Sequence, residues 1–283
     1  MPTAVDQLVN PFLVDSGFGV LLPVAIQQFY LFLLVLVRIS GLMIIGPYFG
    51  HTSIPQNVRA LLALVISCLI FPSLYSDLIS RTVPVVPSTI FDLGWVIAAE
   101  LLIGIFLSFG VMLILMGVQM AGDMFDQQAG TAMGEIFNPL FNGTAAPVGQ
   151  LMYMMATAVF LVAVPMHGQL QMLSITLQTF TSIPLGQVLQ LEGASEVLLL
   201  LVQNSVTLSL QLAAPMLAAM SLVSLTLGFL GYTVPQINVL VMGFPIRATL
   251  AFFILIMTAT GMTSTMLASM NDSLEILRGF LVS

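Results

Sequence analysis

Residues 90–139 read IFDLGWVIAAELLIGIFLSFGVMLILMGVQMAGDMFDQQAGTAMGEIFNP, and this stretch decides the class of fold. Residues 90–120 are apolar almost throughout and exceed the roughly 20 apolar residues that a helix needs to cross a bilayer core of about 30 Å. From Gln119 to Pro147, polar residues and glycines interrupt that pattern. Irregular backbone is tolerated at membrane depth only where other protein covers it or an aqueous path runs beside it. The stretch therefore predicts a membrane helix followed by either a movable constriction or a rigid connection between helices.

The composition of the whole chain agrees with a membrane protein. Hydrophobic residues make up 59% and charged residues 6% of the 283 residues, whereas a soluble domain has about 25% charged residues. The mean hydropathy is +1.10, so we predict an integral membrane protein. The net charge of −7, from twelve acids and five arginines, excludes a basic surface that binds nucleic acid.

Residue types that are rare or missing exclude several mechanisms. The chain has no lysine, which excludes the usual P-loop and Schiff-base chemistries. Cys68 is the only cysteine, so no internal disulfide is expected, and we predict a buried apolar residue. His51 and His167 are the only histidines, and neither has the neighbours of a zinc site. We therefore predict a protein that is not an enzyme and has no metal site and no cofactor.

The apolar runs predict an all-α protein of seven helices. Their expected bounds are residues 20–45, 58–74, 90–120, 148–177, 196–229, 234–262 and 265–282. Several runs contain polar residues, glycine or proline, which membrane helices keep where neighbouring helices cover the freed backbone groups. These helices are therefore predicted to face protein over much of their length. The arginines show no bias toward one side of the runs, so they predict no orientation.

The last predicted helix is amphipathic. Its apolar face holds Met266, Met270, Leu274, Leu277 and Leu281 at helical spacing. Such a face can lie in the membrane interface, against a partner, or against the rest of the chain. The sequence leaves these three alternatives open.

Glu100 stands in the middle of an apolar run. A charged carboxylate at that depth costs at least a few kcal/mol. We therefore expect it to face a cavity, to pair with an arginine such as Arg38, or to stay protonated. Two roles follow, a residue that lines a transport pathway or a polar pin between helices, and both stay open.

A stripe of methionines leads into the glycine-rich stretch. Its members are four residues apart and are Met112, Met116, Met120 and Met124. Methionine is flexible and can close around irregular shapes, although a methionine stripe at helical spacing is more often part of a core. Flexible closure and core packing are the two interpretations.

The glycine-rich stretch combines backbone freedom with apolar bulk. Gly130 and Gly134 allow backbone rearrangement, and Met133, Ile136 and Phe137 offer side chains that could block a hole. The same Gly-x-x-x-Gly spacing also suits tight helix packing. Residue chemistry alone therefore does not decide between a gate and a connection.

Several motifs carry a family resemblance. They are Arg38-Ile39-Ser40-Gly41 with Pro47-Tyr48-Phe49-Gly50, Ile54-Pro55 and Arg59, Glu100-x-x-x-Gly104, Ala121-Gly122-Asp123, Phe180 with Pro184-Leu185-Gly186, and Pro235-Gln236-Ile237-Asn238-Val239 followed by Gly243-Phe244-Pro245. In this order and spacing they resemble the FliR family. Its members are the R subunits of the bacterial flagellar type III export gate, and they are related to the T subunits of injectisomes.

The resemblance implies a fold and an assembly. An extension of residues 1–17 would precede a part similar to the P subunit, residues 18–190, built of membrane-associated helical hairpins. A hairpin similar to the Q subunit, residues 191–264, and an amphipathic helix, residues 265–283, would follow. One such chain would join P and Q subunits and other export components in a pore for unfolded flagellar proteins. The location would be the bacterial inner membrane within the flagellar basal body, with the assembled gate largely outside the plane of the membrane.

The resemblance also implies a plug. It falls on residues 129–147, with Gly130, Met133, Gly134, Ile136, Phe137, Asn138 and Pro139 as plug or gating residues. It makes Arg38, Glu100, Asp123, Gln236 and Asn238 candidates for polar roles in the pore or in assembly. The chain departs from the family at Asn138-Pro139, where Asp-Pro is usual, and at His167-Gly168-Gln169, where Asn-Gly-His is common.

One competing class remains at this point. A secondary transporter also uses broken membrane helices, with a substrate or proton site near the middle of the bilayer. In that case Arg38 and Glu100 would bind the substrate or the proton.

Overall fold

The computed structural model of the chain describes residues 18–47, 50, 54–80, 86–87, 89–130, 147–163, 167–186, 193–234 and 239–282. These residues form seven α-helices, and there is no strand among them. The helices are α1 (Phe18–Ile45), α2 (Gln56–Ser80), α3 (Ile90–Ala129), α4 (Pro147–Val162), α5 (Gly168–Ser182), α6 (Ala194–Thr233) and α7 (Val239–Val282). The predicted all-α class is confirmed.

Helix α3 runs to Ala129, nine residues beyond the end that the polar residues suggested. Ala121, Phe125 and Ala129 are buried at a spacing of four residues, so the apolar face of the helix continues through the polar stretch. Side-chain polarity was therefore wrong as a sign of irregular backbone between Gln119 and Ala129. The break in α3 begins only at Gly130, where φ is 76°.

Two further predicted bounds were wrong. The run 148–177 divides into α4 and α5, and Pro165 lies in the sequence between them, where it has no N–H to continue a helix. The runs 234–262 and 265–282 form one helix, α7. Thr263 and Thr265 donate hydroxyl hydrogen bonds to the carbonyls of Ala259 and Gly261 within that helix, so these polar residues do not end it.

The first two helices form an antiparallel hairpin. Gln28 donates a hydrogen bond of 2.6 Å to the hydroxyl of Tyr75, and the rings of Phe32 and Phe71 meet edge to face at 5.5 Å. The second contact lies one turn later in α1 and one turn earlier in α2 than the first, so the two helices run in opposite directions. Cys68 lies on the outer side of this hairpin and is exposed, so its predicted burial was wrong.

The chain divides into two compact units. The first contains Met1–Phe109, Met172–Glu192 and Arg278–Ser283. Its core has fully buried side chains from α1 and α3, which are Leu34, Val35, Ile39, Ile103 and Leu107. The second contains Gly110–Gln171 and Gly193–Leu277. Its core joins α3, α4 and α6 through Val118, Phe125, Phe160, Leu212 and Met216.

The apolar face of the last segment is buried. The relative exposures of Met266, Met270, Leu274, Leu277 and Leu281 are between 0% and 2%. Of the three alternatives, the structure adopts packing of this face against the rest of the chain.

Within the part of the chain that the structure describes, five helices are long and apolar enough to cross a membrane. The candidate spans are Val24–Ile45, Gln56–Tyr75, Ile90–Ala129, Ala194–Thr233 and Met242–Leu281. The first two have the length of a single crossing, whereas the other three have 40 residues each. The predicted character of a helical membrane protein agrees with this finding.

A strained turn before α5 gives a first testable prediction. His167 has φ of 38°, a left-handed conformation that asparagine adopts more readily than histidine. We expect His167→Asn, which restores the residue common in the resembling family, to raise the free energy of unfolding by about 0.5–1 kcal/mol. Unfolding of the full chain in detergent measures it.

The control for this prediction is Gln127→Asn, at an exposed position inside α3. Asparagine is a weaker helix former than glutamine, so this variant should gain nothing. An equal or lower stability for His167→Asn would contradict the proposed strain at this turn.

Candidate functional site

Arg38 and Glu100 form a buried ion pair in the first unit. Arg38 lies on α1 and Glu100 on α3, and the Nε and Oε2 atoms are 2.6 Å apart. Their side chains are 0% and 1% exposed. Because an uncompensated buried charge is very costly, the remaining polar atoms of the two side chains also need hydrogen-bond partners.

Those partners come from the segment at the end of α5. The Arg38 guanidinium donates to Thr179 Oγ1 at 3.2 Å and to the carbonyl of Ile183 at 3.3 Å. It also lies over the ring of Phe180, 4.5 Å from the centroid, a cation–π contact. The N–H of Gly186 donates to Glu100 Oε1 at 3.0 Å. The ion pair thus ties α1, α3 and residues 179–186 together.

This arrangement favours the role of a polar pin. Both oxygens of the Glu100 carboxylate and all three nitrogens of the Arg38 guanidinium have protein partners. Of the three surroundings expected for Glu100, the structure places it against Arg38. A group so fully satisfied by protein is well suited to fix helix positions and poorly suited to bind a passing solute.

A close helix crossing positions the ion pair. Gly41 of α1 and Gly104 of α3 lie against each other, one turn from Arg38 and Glu100. A Cβ atom added to Gly41 would lie 2.5 Å from the carbonyl oxygen of Leu101. A Cβ atom added to Gly104 would clash with the carbonyl oxygen of Arg38. Only glycine at both positions lets the two backbones approach this closely.

A second glycine contact lies at the base of the predicted plug, in the second unit. Gly122 of α3 faces Gly149 in the first turn of α4, and a Cβ atom on Gly122 would lie 2.5 Å from the Cα atom of Gly149. The N–H of Gly149 donates to Asp126 Oδ2 at 2.9 Å, and Asp126 is 1% exposed. The carboxylate of Asp123 lies beside the Cα atom of Gly149. The end of α3 and the start of α4 are thereby joined.

Electrostatics also favours acidic side chains at the first turn of α4. Its N–H groups have no partner within the helix and carry partial positive charge. Asp126 therefore caps α4 from another helix. Sequence reasoning missed both Gly149 and Asp126 as site residues. The available signal was the pair of acids Asp123 and Asp126 and a glycine two residues after Pro147.

Helix α7 also packs near the end of α3 and the start of α4. The ring of Phe244 lies near Gly130, at the distance of ordinary contact from a Cβ atom built there. Phe125, Ala129 and Val148 meet Ala251, Phe252 and Leu255 of α7 around a small void. Gly130 and Val148, on the two sides of the segment, thus lie against residues of α7.

The methionine stripe lies on the outside of the second unit. Met116 and Met120 are each 46% exposed, whereas Met112 and Met124 are half-buried. The Tyr153 hydroxyl contacts the sulfur of Met112 at 3.9 Å. Core packing is therefore the wrong interpretation for the middle of the stripe, and flexible closure against another molecule stays a prediction.

Several predicted site residues lie outside the described part of the chain. They are Met133, Gly134, Ile136, Phe137, Asn138 and Pro139 of the plug, and Gln236 and Asn238 between α6 and α7. Their roles stay predictions.

Polar contacts between α6 and its neighbours were not predicted. Asn204 hydrogen-bonds with Ser269 and Ser273 of α7. Ser205 donates to the carbonyl of Leu113 of α3 at 2.6 Å. The signal was present in the sequence, since asparagine inside an apolar run needs a hydrogen-bond partner in a membrane protein.

Within the described residues, no group of three or more His, Cys, Asp or Glu side chains could hold a metal ion.

Comparison with known proteins places these features in a family. The family described as bacterial export proteins, family 1, matches residues 29–273. The chain is 29% identical to the flagellar biosynthetic protein FliR of Bacillus subtilis, over 82% of this chain and 86% of that protein. It is 28% identical to FliR of Escherichia coli, over 76% and 78%. It is 26% identical to the Yop proteins translocation protein T of Yersinia pestis, over 64% and 69%. With its helical membrane fold and a match over most of its length, this chain belongs to the FliR family of bacterial type III export proteins.

Proposed function

We propose that this chain is the R-type subunit of a flagellar type III export gate. With P-type and Q-type subunits it would form the pore through which unfolded flagellar proteins leave the cell. Residues 129–147 would plug that pore at rest and move aside during export. Family membership supports the coarser statement, a component of type III export, and the following features support the finer one.

The observation that carries the proposal is the length of the apolar helices. Helices α3 and α6 have 40 residues and α7 has 44, which is about 60 Å or more at 1.5 Å per residue. A bilayer core is only about 30 Å thick. Large apolar side chains of α6 are exposed from Leu199 to Tyr232, well beyond that thickness. Lipid alone cannot cover this surface, so neighbouring protein subunits must cover part of it.

The hairpin of α6 and α7 offers a surface for a repeated subunit. Asn204 near the start of α6 meets Ser273 near the end of α7, and Leu227 lies against Gly243 at the other end. The two helices are therefore antiparallel, as a Q-like hairpin would be. Within an apolar stretch of 18 residues in each helix, only 28% of α6 and 17% of α7 are buried within the chain. This leaves most of the hairpin available to P-type and Q-type neighbours.

A plug needs a fixed frame if its movement is to open and close a pore. The contacts of Gly122 and Asp126 with Gly149 hold the last turns of α3 next to the first turn of α4, on the two sides of the segment. Met116 and Met120 stand on the outer face of the helix that leads to it. Flexible methionine side chains on that face can seal against a neighbouring subunit.

The transporter alternative finds less support. Its substrate or proton site would be Arg38 and Glu100, and both are buried with the polar atoms of both charged groups hydrogen-bonded to protein.

The two alternatives also predict different partners. The chain should co-purify with small P-type and Q-type membrane proteins. Saturable uptake of a solute by vesicles that contain only this chain would overturn the proposal.

Ion leak through the membrane tests the plug. Deletion of residues 130–138 should raise the ion conductance of cells or vesicles at least tenfold while the complex stays assembled. A variant with serine at Met133, Ile136 and Phe137 keeps the length and removes only the apolar bulk, so it should leak as well. Serine at the exposed Met154 and Leu151 of α4 is the matched control. An assembled complex without added leak would remove the plug from the proposal.

A further inference from the structure

The outer face of α6 carries polar side chains that have no partner in the described part of the chain. Gln203, Thr207 and Gln211 are exposed at a spacing of four residues, so they lie along one side of the helix. Within the residues that the structure describes, no hydrogen bond to these three side chains is present. The neighbouring Asn204, by contrast, hydrogen-bonds with residues of α7. We call Gln203, Thr207 and Gln211 the α6 strip.

A proline adds a backbone acceptor to one end of the α6 strip. Pro215 lies inside α6 and has no N–H, so the carbonyl of Gln211 cannot accept the usual helical hydrogen bond from it. Ala214 and Ala218 follow on the same side of the helix and are exposed. Small residues at such positions let another helix approach closely. This side of α6 therefore combines hydrogen-bonding groups with space for a neighbouring backbone.

Large apolar side chains lie among these polar groups. Leu200 and Leu210 are each 50% exposed, and Leu225 is 71% exposed. At 3.6 residues per turn, all three lie within about 60° of the middle of the α6 strip around the helix axis. Residues 197–246 contain no charged residue, so the polarity of this face comes from neutral groups alone.

Neither lipid nor water suits such a mixed face. In lipid, the carboxamides and the hydroxyl would lack hydrogen-bond partners, which is costly. In water, the leucines would lie exposed beside one another, and exposed apolar patches mark interaction sites. This conflict exists at any depth of α6 relative to the membrane. A neighbouring protein removes it, because it can cover the leucines and hydrogen-bond with the α6 strip at the same time.

We propose that the α6 strip binds an apolar helix of a neighbouring export-gate subunit through neutral hydrogen bonds, which rests on the proposed function. Gln203 and Gln211 are eight residues apart, about 12 Å along the helix at 1.5 Å per residue. The partner helix therefore carries asparagine, glutamine, serine or threonine at two positions seven or eight residues apart. Near Pro215, one of these side chains donates a hydrogen bond to the carbonyl of Gln211.

Leucine at both glutamines tests the α6 strip in the assembled complex. Leucine is a good helix former, and neither glutamine has a partner in the described chain, so Gln203→Leu with Gln211→Leu should not lower the stability of the chain in detergent. The amount of neighbouring subunits that co-purifies with the full chain should fall about fivefold or more, because groups of the partner stay buried without hydrogen bonds. The fall should be equal at low and high salt, since no charge takes part.

Two further variants assign the loss to this face of α6. Gln127→Leu makes the same change at an exposed position of α3 and should leave the co-purified amount unchanged. Ala214→Trp keeps both glutamines and adds bulk where the backbone of the partner approaches, so it should reduce the co-purified amount as well. Because Ala214 is exposed, the tryptophan should leave the fold of the chain intact.

A photoreactive amino acid in place of Thr207, in the full chain in cells, identifies the partner. The expected product joins this position to a membrane helix of another gate subunit that has the stated spacing of hydrogen-bonding residues. A product with lipid alone or with a second copy of this chain would overturn the proposal. A product with an exported polypeptide would overturn it too, and would assign the α6 strip to the export path.

Co-purification also separates the α6 strip from the proposed function. If the unmodified chain assembles with P-type and Q-type subunits and the double leucine variant does so equally well, the strip is not a docking surface and the proposed function stands. If the unmodified chain assembles with neither type of subunit, the proposed function is wrong and the proposed partner of the strip is wrong with it.

Discussion

Replacement of Glu100 by alanine is expected to lower the free energy of unfolding by about 3–5 kcal/mol and to prevent assembly. The variant leaves the Arg38 guanidinium buried without its counter-charge, and it leaves the N–H of Gly186 without its acceptor. A domain is stable by only about 5–15 kcal/mol, so the loss takes much of its stability. Detergent unfolding, and the yield of chain that co-purifies with its partners, measure the effect.

The double variant Arg38→Met with Glu100→Leu separates stability from function. Apolar residues of similar volume often replace a buried ion pair without loss, so the double variant should be far more stable than either single variant. If the pair is only a pin, export activity should return with stability. A stable, assembled double variant without export would instead assign the charges a role in export itself. Arg278→Met, at an exposed position, is the control and should cost less than about 0.5 kcal/mol.

Glu100→Gln is a milder variant of the same experiment. Glutamine can still accept the hydrogen bond of Gly186, yet it leaves the positive charge of Arg38 unbalanced. We expect a loss smaller than that of alanine but still above 1 kcal/mol, because a buried charge has lost its partner. Normal stability would show that the neighbouring Thr179, Ile183 and Phe180 suffice for Arg38.

Sequence patterns predicted those features that depend on composition and spacing. The apolar runs predicted helices, and the spacing from Met266 to Leu281 predicted an apolar face. That face is buried within the chain, one of the three alternatives that the spacing left open. A buried acid in an apolar run needs a partner, so the pairing of Glu100 with Arg38 was among the expected alternatives. These inferences rest on hydrophobic burial and charge neutralisation, which act at any site regardless of its neighbours.

Other features depend on contacts between distant parts of the chain. Polar residues after Gln119 suggested irregular backbone, yet Ala121, Phe125 and Ala129 are buried on one face of a continuous helix. Phe125 and Ala129 lie near residues of α4 and α7. The role of Gly149 depends on which glycine faces it across 27 residues. No local pattern contains that information, so Asp126 and Gly149 were missed. Helix ends followed tertiary packing more closely than they followed local polarity.

Substitution of alanine at two glycines of α3 should have opposite effects on stability. A Cβ atom on Gly94 would meet nothing within 4 Å, whereas one on Gly104 would enter the backbone of α1 at Arg38. Gly94→Ala should therefore stabilise the chain by about 0.5–1 kcal/mol, the difference in helix propensity. Gly104→Ala should destabilise it by about 3 kcal/mol or more, because backbone atoms cannot move aside as a flexible side chain can.

The effect of Gly104 should also depend on the ion pair. An added methyl group separates α1 from α3, which lengthens the contact between Arg38 and Glu100 one turn away. Once the pair is absent, as in the double variant Arg38→Met with Glu100→Leu, Gly104→Ala should cost at least 1 kcal/mol less than it does in the unmodified chain. Unfolding of these variants in detergent gives the coupling energy. Additive losses would mean that the glycine crossing and the ion pair stabilise the first unit independently, and that close backbone contact is not what brings the two charges together.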